Sequence, residues 1–125
     1  MLKPNVVEVS TIHYLCDMIV YNTTYSADRK VAARFVNWLR SHYVPAAVVS
    51  GQLVEPQLAH LMTSSEDGSH SFSLQFKCES VDVLEVWYHK YGAALVHDVE
   101  TKFGTQVSGF STVMTIMDLK GREEE

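Results

Sequence analysis

Two short segments of the chain carry the apolar and polar pattern of buried β-strands. From Phe72 to Cys78 every second residue is apolar and the residues between are polar, as expected for a strand that buries one face. Residues 18–25 (MIVYNTTY) carry bulky side chains on both faces, most of them β-branched or aromatic, which favours a strand with neighbours on both sides. These segments predict the central strands of a sheet.

Two longer segments carry apolar residues at helical spacing. The first stripe comprises Val31, Phe35, Trp38, Leu39 and His42, and the second comprises Leu84, Trp87, Tyr88, Tyr91, Leu95, Val99 and Phe103. Residues 26–28 (SAD) offer capping side chains for the first helix, and Ser80 is the predicted N-cap of the second. We expect Pro45 to interrupt the first helix, because proline disfavours the α conformation in the residue before it.

The remaining segments complete the order β-α-β-β-α-β. Residues 53–64 predict a second strand that is irregular around Pro56, residues 65–69 (SEDGS) a hairpin loop, and residues 107–119 the last strand. This order predicts an α+β, ferredoxin-like two-layer sandwich, with a four-stranded antiparallel sheet and both helices on one face. Right-handed crossovers place the first and third strands in the centre.

A chain of 125 residues predicts one domain with its own core, which we assign to residues 18–119. Residues 120–125 form a charged tail. Residues 1–17 fit the pattern poorly, so they form either an additional edge strand or an over-extended reading frame that precedes a natural start at Met18. In either case we expect this segment to be weakly packed.

Charge, hydropathy and cysteine spacing indicate which partners and which cellular compartment to expect. The formal net charge of −5 argues against nucleic-acid binding, which usually requires a basic patch. No apolar run is long enough to span a bilayer, and the N-terminus lacks the apolar core of a signal peptide. Cys16 and Cys78 form no C-x-x-C motif, which favours reduced thiols over a disulfide or a zinc site. We therefore expect a cytoplasmic protein without nucleic-acid or membrane partners.

The sequence contains no catalytic or cofactor signature. None of its six histidines forms H-x-x-H or H-x-x-x-H, and no nucleophile elbow, P-loop or dinucleotide-binding motif is present. We predict no catalytic residue, metal or cofactor. His60 on the second strand is the candidate binding histidine, set against the simpler interpretation that it is structural.

Short motifs follow one another in a fixed order through nearly the whole chain. They are YNTTY at 21–25, FxxWL at 35–39, YVP at 43–45, LQF at 74–76, WY at 87–88, FG at 103–104 and GFS at 109–111. In these motifs the sequence resembles DUF4286, a small bacterial family of unassigned function. The resemblance implies a ferredoxin-like domain that pairs sheet to sheet with a second copy, as in dimeric α+β barrels, and it implies no reaction.

The sheet face without helices is the predicted interaction surface. If Asn22, Thr24 and Gln75 share that face, their polar side chains must be solvated, bind a ligand or meet a second copy. The candidate binding residues are therefore Asn22, Thr24, His60 and Gln75. This pattern favours a non-catalytic homodimer that binds a small molecule or a protein.

The alternative is a cofactor-independent small enzyme that resembles the dimeric α+β barrel monooxygenases. Its pocket would have aromatic walls, with His60 or a tyrosine as the acid or base. It requires a closed cavity of roughly 300 Å³ or more between helices and sheet. Filling of that space by Trp87 and Phe72 would count against it.

Overall fold

A computed structural model describes residues 18–62 and 65–119. The strands are β1 (Ile19–Ala27), β2 (Leu53–His60), β3 (His70–Cys78) and β4 (Val107–Thr115). Helix α1 covers residues 32–48 and helix α2 covers residues 81–103, after which Gly104–Gln106 form a 3₁₀ turn. The N-terminal extension 1–17 and the charged tail 120–125 lie outside the described residues.

The sheet is antiparallel, with the strand order β2-β3-β1-β4. Every second side chain of β1 and β3 is buried against the two helices, which confirms the ferredoxin-like sandwich and its predicted central strands. The edge strands are shorter than predicted, because β2 ends at His60 and β4 ends at Thr115. Thr115 lies opposite Ile19, the first residue of β1.

Each helix contains a π-helical turn near its middle. Helix α1 consists of Ala32–Trp38, the π turn Leu39–Tyr43 and Val44–Val48, and helix α2 of Val81–Trp87, the π turn Tyr88–Gly92 and Ala93–Phe103. The residue after each π turn donates its backbone N–H to the carbonyl five residues earlier. Val44 donates to Leu39, and Ala93 donates to Tyr88. Such turns shift the side chains that follow them around the helix axis.

The predicted interruption at Pro45 is wrong, because α1 continues through this residue to Val48. In a regular α-helix the proline ring would clash with the carbonyl of Ser41, four residues earlier. The π turn that ends at Tyr43 widens the backbone immediately before the proline. We attribute the continuity of α1 to this wider turn.

The two predicted helix caps have different outcomes. The Ser80 hydroxyl accepts the N–H of Val83 at 3.1 Å, which confirms the cap of α2. Among the residues that the structure describes, no side chain caps α1. The Asp28 carboxylate instead accepts the N–H of Lys30 at 2.9 Å, within the turn that separates β1 from the helix.

Trp87 fills the middle of the layer between sheet and helices. Its side chain is fully buried, its ring meets Tyr21 edge to face at 5.8 Å, and its indole N–H donates to the carbonyl of Ala47 at 2.8 Å. A Cβ built on Gly92 would lie 2.6 Å from ring atoms of both Trp87 and Tyr88. Glycine is therefore required at position 92 by the packing of the tryptophan.

An irregularity in β2 decides which of its side chains face the helices. Val54 pairs with Lys77, but Gln57 pairs with Gln75, so the register shifts by one residue between them. Glu55 in this bulge has a φ of 52°. Because a one-residue shift exchanges the two faces of a strand, His60 lies opposite Phe72 on the helix-covered face.

We predict that Gly92→Ala destabilises the protein, although alanine is the better helix former by about 1 kcal/mol. The added methyl group would displace the Trp87 or Tyr88 ring, and overpacking of this kind costs about 1–3 kcal/mol. Urea denaturation followed by tryptophan fluorescence measures the change. Ala94→Gly, at an exposed position of α2, reports helix propensity alone, and a stabilised Gly92→Ala variant would contradict the packing requirement.

We predict that Glu55→Gly is more stable than Glu55→Ala by about 1 kcal/mol, because only glycine adopts positive φ without a steric cost. Both variants lose the exposed Glu55–Lys77 ion pair of 3.2 Å, so its contribution cancels in the comparison. Chemical denaturation of the two variants in parallel measures the difference. Equal stabilities would show that the backbone at position 55 is not strained.

Candidate functional site

A cleft of about 520 Å³ opens between the C-terminal half of α2 and strand β4. It exists because the helices cover the central strands, whereas β4 is exposed along most of its length. Val96 and Val99 of α2 form one wall, and residues 108–111 of β4 form the other. The floor consists of Tyr21, Thr23, Tyr25 and Tyr43. We call this site the tyrosine cleft.

Hydrogen-bonded hydroxyl groups connect the residues of the floor. Tyr21, Thr23 and Tyr25 are alternate residues of β1 and therefore face the same side. Thr23 lies opposite Ser111 of β4, and their hydroxyl oxygens are 2.9 Å apart. The Ser111 hydroxyl also donates to the Tyr21 hydroxyl at 3.4 Å.

The Tyr25 phenol adds to this group of hydroxyls, because Tyr43 and Thr23 lie close enough to lower its pKa as hydrogen-bonding neighbours. Tyr43 belongs to the π turn of α1, so the group joins the helix layer to both strands. Hydrogen bonds join the hydroxyls of Thr23, Ser111 and Tyr21, and the hydroxyls of Tyr25 and Tyr43 complete a cluster of five along the cleft.

Burial keeps two of these phenols protonated. It raises the pKa of Tyr25 to about 12, an effect that hydrogen bonds from Tyr43 and Thr23 reduce only in part. Burial is also the main reason that the pKa of Tyr43 lies well above its usual value, and the nearby Tyr25 adds to the effect. At neutral pH both groups are therefore protonated, hydrogen-bonding hydroxyls.

Gly109 allows the Tyr25 ring to lie against β4. The two residues are paired across the strands, and a Cβ at position 109 would lie 2.8 Å from Cδ1 of Tyr25. Any other residue would push the ring away from the strand. Gly109 therefore helps to shape the floor of the cleft.

Three of the four predicted binding residues lie together on the open face of the sheet, which no helix of the described residues covers. Asn22 pairs with Gln75 across the two central strands, and its amide group donates to Thr24 at 3.1 Å. The Asn22 carbonyl oxygen accepts the Ser73 hydroxyl at 2.5 Å. The register therefore gives this face a hydrogen-bonded polar centre.

The structure does not bring His60 to that surface. It lies on the opposite face of the sheet, at the edge formed by β2, where its ring stacks on Phe72 with centroids 5.1 Å apart. Its Nε2 is 3.2 Å from Nδ1 of His70. The bulge in β2 is the reason for this separation, since without the register shift His60 would point to the open face.

Sequence reasoning did not identify the tyrosine cleft. The enzyme hypothesis expects a pocket with aromatic walls between helices and sheet, but Trp87 is fully buried and fills the space between the layers. The overlooked signal was the run Tyr21, Thr23, Tyr25. It places three hydroxyl groups on a core-facing side, where each one requires a partner.

The described part of the chain contains neither a candidate metal site nor a helix that could span a membrane. Within residues 18–62 and 65–119, no three side chains of histidine, cysteine, aspartate or glutamate come together in a way that could hold a metal ion. In the same residues no helix combines the length and hydropathy needed to cross a bilayer.

The family model of the domain of unknown function DUF4286 matches residues 18–117 of the chain. No curated protein matches the sequence.

Solved structures with the same fold have little sequence in common with this chain. A candidate antibiotic biosynthesis monooxygenase from Caulobacter crescentus CB15 is 16% identical with a TM-score of 0.58, covering 88% of this chain and 97% of its own. The hydroxynitrile lyase from Passiflora edulis is 9% identical with a TM-score of 0.58, covering 80% and 94%. An uncharacterized NIPSNAP-like domain protein from Burkholderia xenovorans is 14% identical with a TM-score of 0.55, covering 85% and 90%. At these identities the similarity shows the fold alone.

We predict that stability falls as the pH rises from about 10 to about 12. Unfolded phenols ionise near pH 10, whereas folded Tyr25 keeps its proton to about pH 12, so the unfolded state releases the proton first. Two pKa units correspond to about 3 kcal/mol. In Tyr25→Phe this loss should be smaller, and urea unfolding across the pH range measures it. Identical pH slopes for the two proteins would contradict the raised pKa.

Proposed function

Since the chain belongs to the DUF4286 family, whose description gives no function, we propose a function from the geometry of the cleft. The protein is a non-catalytic domain that binds a small, uncharged, amphipathic molecule in the tyrosine cleft, and it works as a homodimer. The observation that carries this proposal is the cluster of five hydroxyls along a cavity of about 520 Å³, three of them joined by hydrogen bonds.

The lining of the cleft defines the ligand class. Val96 and Val99 supply apolar contacts on one wall, and the hydroxyls offer hydrogen bonds at the floor. The burial that raises the pKa of Tyr25 equally disfavours a negative charge on the ligand. The volume lies in the range of pockets for small molecules.

The same groups favour binding over catalysis. A phenol with a pKa near 12 is a poor general base, since effective bases titrate close to the working pH. His60, the other acid or base considered, lies outside this cleft, at the β2 edge. The enzyme hypothesis would depend on a role for the neutral phenols as hydrogen-bond donors to a developing oxyanion.

The open face of the sheet supports the homodimer. Gln57, Gln75, Asn22 and Thr112 form a row across all four strands. Amides both donate and accept, so such a row is complementary to itself across a two-fold axis. Phe110 and Met114 on the same face are 65% and 40% exposed, and a second sheet would bury them.

Native mass spectrometry of the gently purified full-length protein tests both parts of this proposal. We expect a dimer that carries a bound small molecule. Val96→Trp should abolish binding of that molecule, because Val96 is 36% exposed at the mouth of the cleft and the indole would fill it. Met114→Asp should yield monomers, since it places a charge on the proposed interface.

Val86→Trp is the matched control for the cleft. Val86 lies on the same helix, is 48% exposed and does not line the cleft, so the bound molecule should be retained. A wild-type dimer without any bound molecule, also after incubation with extract of small metabolites, would refute the ligand-binding proposal. A wild-type monomer would refute the homodimer.

A further inference from the structure

A second groove lies at the opposite edge of the sheet, between α1 and β2. It consists of two adjoining hollows of about 440 and 410 Å³, which share the lining residues Val36, Arg40, His60 and Phe72. Arg29 and His70 line the outer hollow as well. We call this site the basic groove, because two arginines and two histidines converge there in a chain whose formal net charge is −5.

The two guanidinium groups of the basic groove have no carboxylate partner in the described residues. Within residues 18–62 and 65–119 the ion pairs are His42–Asp98 and Lys77–Glu55, and neither involves Arg29 or Arg40. Arg29 packs over the hairpin turn, where a Cβ on Gly68 would lie 3.3 Å from its Cδ. Arginine binds carboxylates and phosphates through a rigid set of N–H groups, so both side chains are suited to an anion.

The two histidines contact each other, and one of them also contacts Phe72. Nε2 of His60 and Nδ1 of His70 are 3.2 Å apart, and the His60 ring stacks on Phe72 at an interplanar angle of 29°. In a neutral pair the ring that accepts this hydrogen bond carries its own proton on its other nitrogen. At least one ring N–H of the pair is therefore always free of the His60–His70 hydrogen bond and available to a ligand.

The rest of the groove is apolar. Val36 and Val44 of α1 and Leu58 of β2 line it together with Phe72. Leu58 reaches this side only because the bulge shifts the register of β2. The groove thus combines an apolar surface with positively charged and N–H donor groups at its rim.

We propose that the basic groove binds a small organic anion with an apolar body. The anionic group lies between Arg40 and the histidine pair, and the apolar body packs against Val36 and Phe72. Charge complementarity and a volume suited to a small molecule argue for this occupant. The site is separate from the tyrosine cleft, since the two have no lining residue in common.

Isothermal titration calorimetry of the full-length protein with 2-naphthoate, and with its uncharged analogue 2-naphthamide, tests this proposal. The protein used in the titrations carries Val96→Trp, which blocks the tyrosine cleft. Binding of the probes then reports on the basic groove alone, so this proposal and the proposed function can fail independently. We expect 2-naphthoate to bind at least about tenfold more tightly than the amide, the range expected for a charged hydrogen bond. Arg40→Gln should remove that difference.

Lys90→Gln is the matched control, because it removes the same charge at an exposed position of α2 that does not line the groove. We expect it to change the affinity for 2-naphthoate by less than about twofold. Equal binding of the two probes, equal effects of Arg40→Gln and Lys90→Gln, or no detectable binding of 2-naphthoate would each overturn the proposal.

Discussion

The hydrogen bond from the Trp87 indole to the Ala47 carbonyl is the contact on which the packing of this domain depends. Because α1 ends at Val48, the carbonyl of Ala47 has no N–H partner within the helix, and the tryptophan supplies one in the core at 2.8 Å. An unsatisfied buried carbonyl would cost about 1–3 kcal/mol. The bond also fixes the distance between the two helices, and the contact of Trp87 with Tyr21 fixes both against β1.

Because Trp87 fills the centre of the layer between sheet and helices, the cavities lie at the two edges of the sheet. The tyrosine cleft forms along β4 and the basic groove along β2, and their chemistry differs. In the cleft, burial keeps phenols neutral. In the groove, exposed arginines and histidines remain in contact with water. One small fold can thus present two separate surfaces suited to ligands of different charge.

The fold could be predicted from the sequence because it depends on local patterns. The alternation from Phe72 to Cys78 and the helical stripes are periodic within single elements, and two-layer packing leaves few arrangements for them. The π turns were not predictable in this way. Their extra residue interrupts the period, and the effect of Pro45 depends on the geometry of the preceding turn.

The candidate sites were less predictable because they depend on register between distant segments. Thr23 and Ser111 are 88 residues apart, and only the pairing of β1 with β4 brings their hydroxyls together. His60 shows the same dependence, because a single bulge residue decides which face it occupies. Asn22 and Gln75 were easier to place, since both lie on strands with regular alternation.

The hydrogen-bonded hydroxyls of the cleft have a consequence for ligand selection. A hydroxyl group rotates about its C–O bond and can exchange the roles of donor and acceptor, so the bonds that join Thr23, Ser111 and Tyr21 can reverse their direction. A ligand carbonyl and a ligand hydroxyl can then be accommodated by reorienting protons, while every heavy atom stays in place. Such a site selects ligands by shape and volume. Two ligands of the same shape, one with a hydrogen-bond donor where the other has an acceptor, should bind with similar affinity.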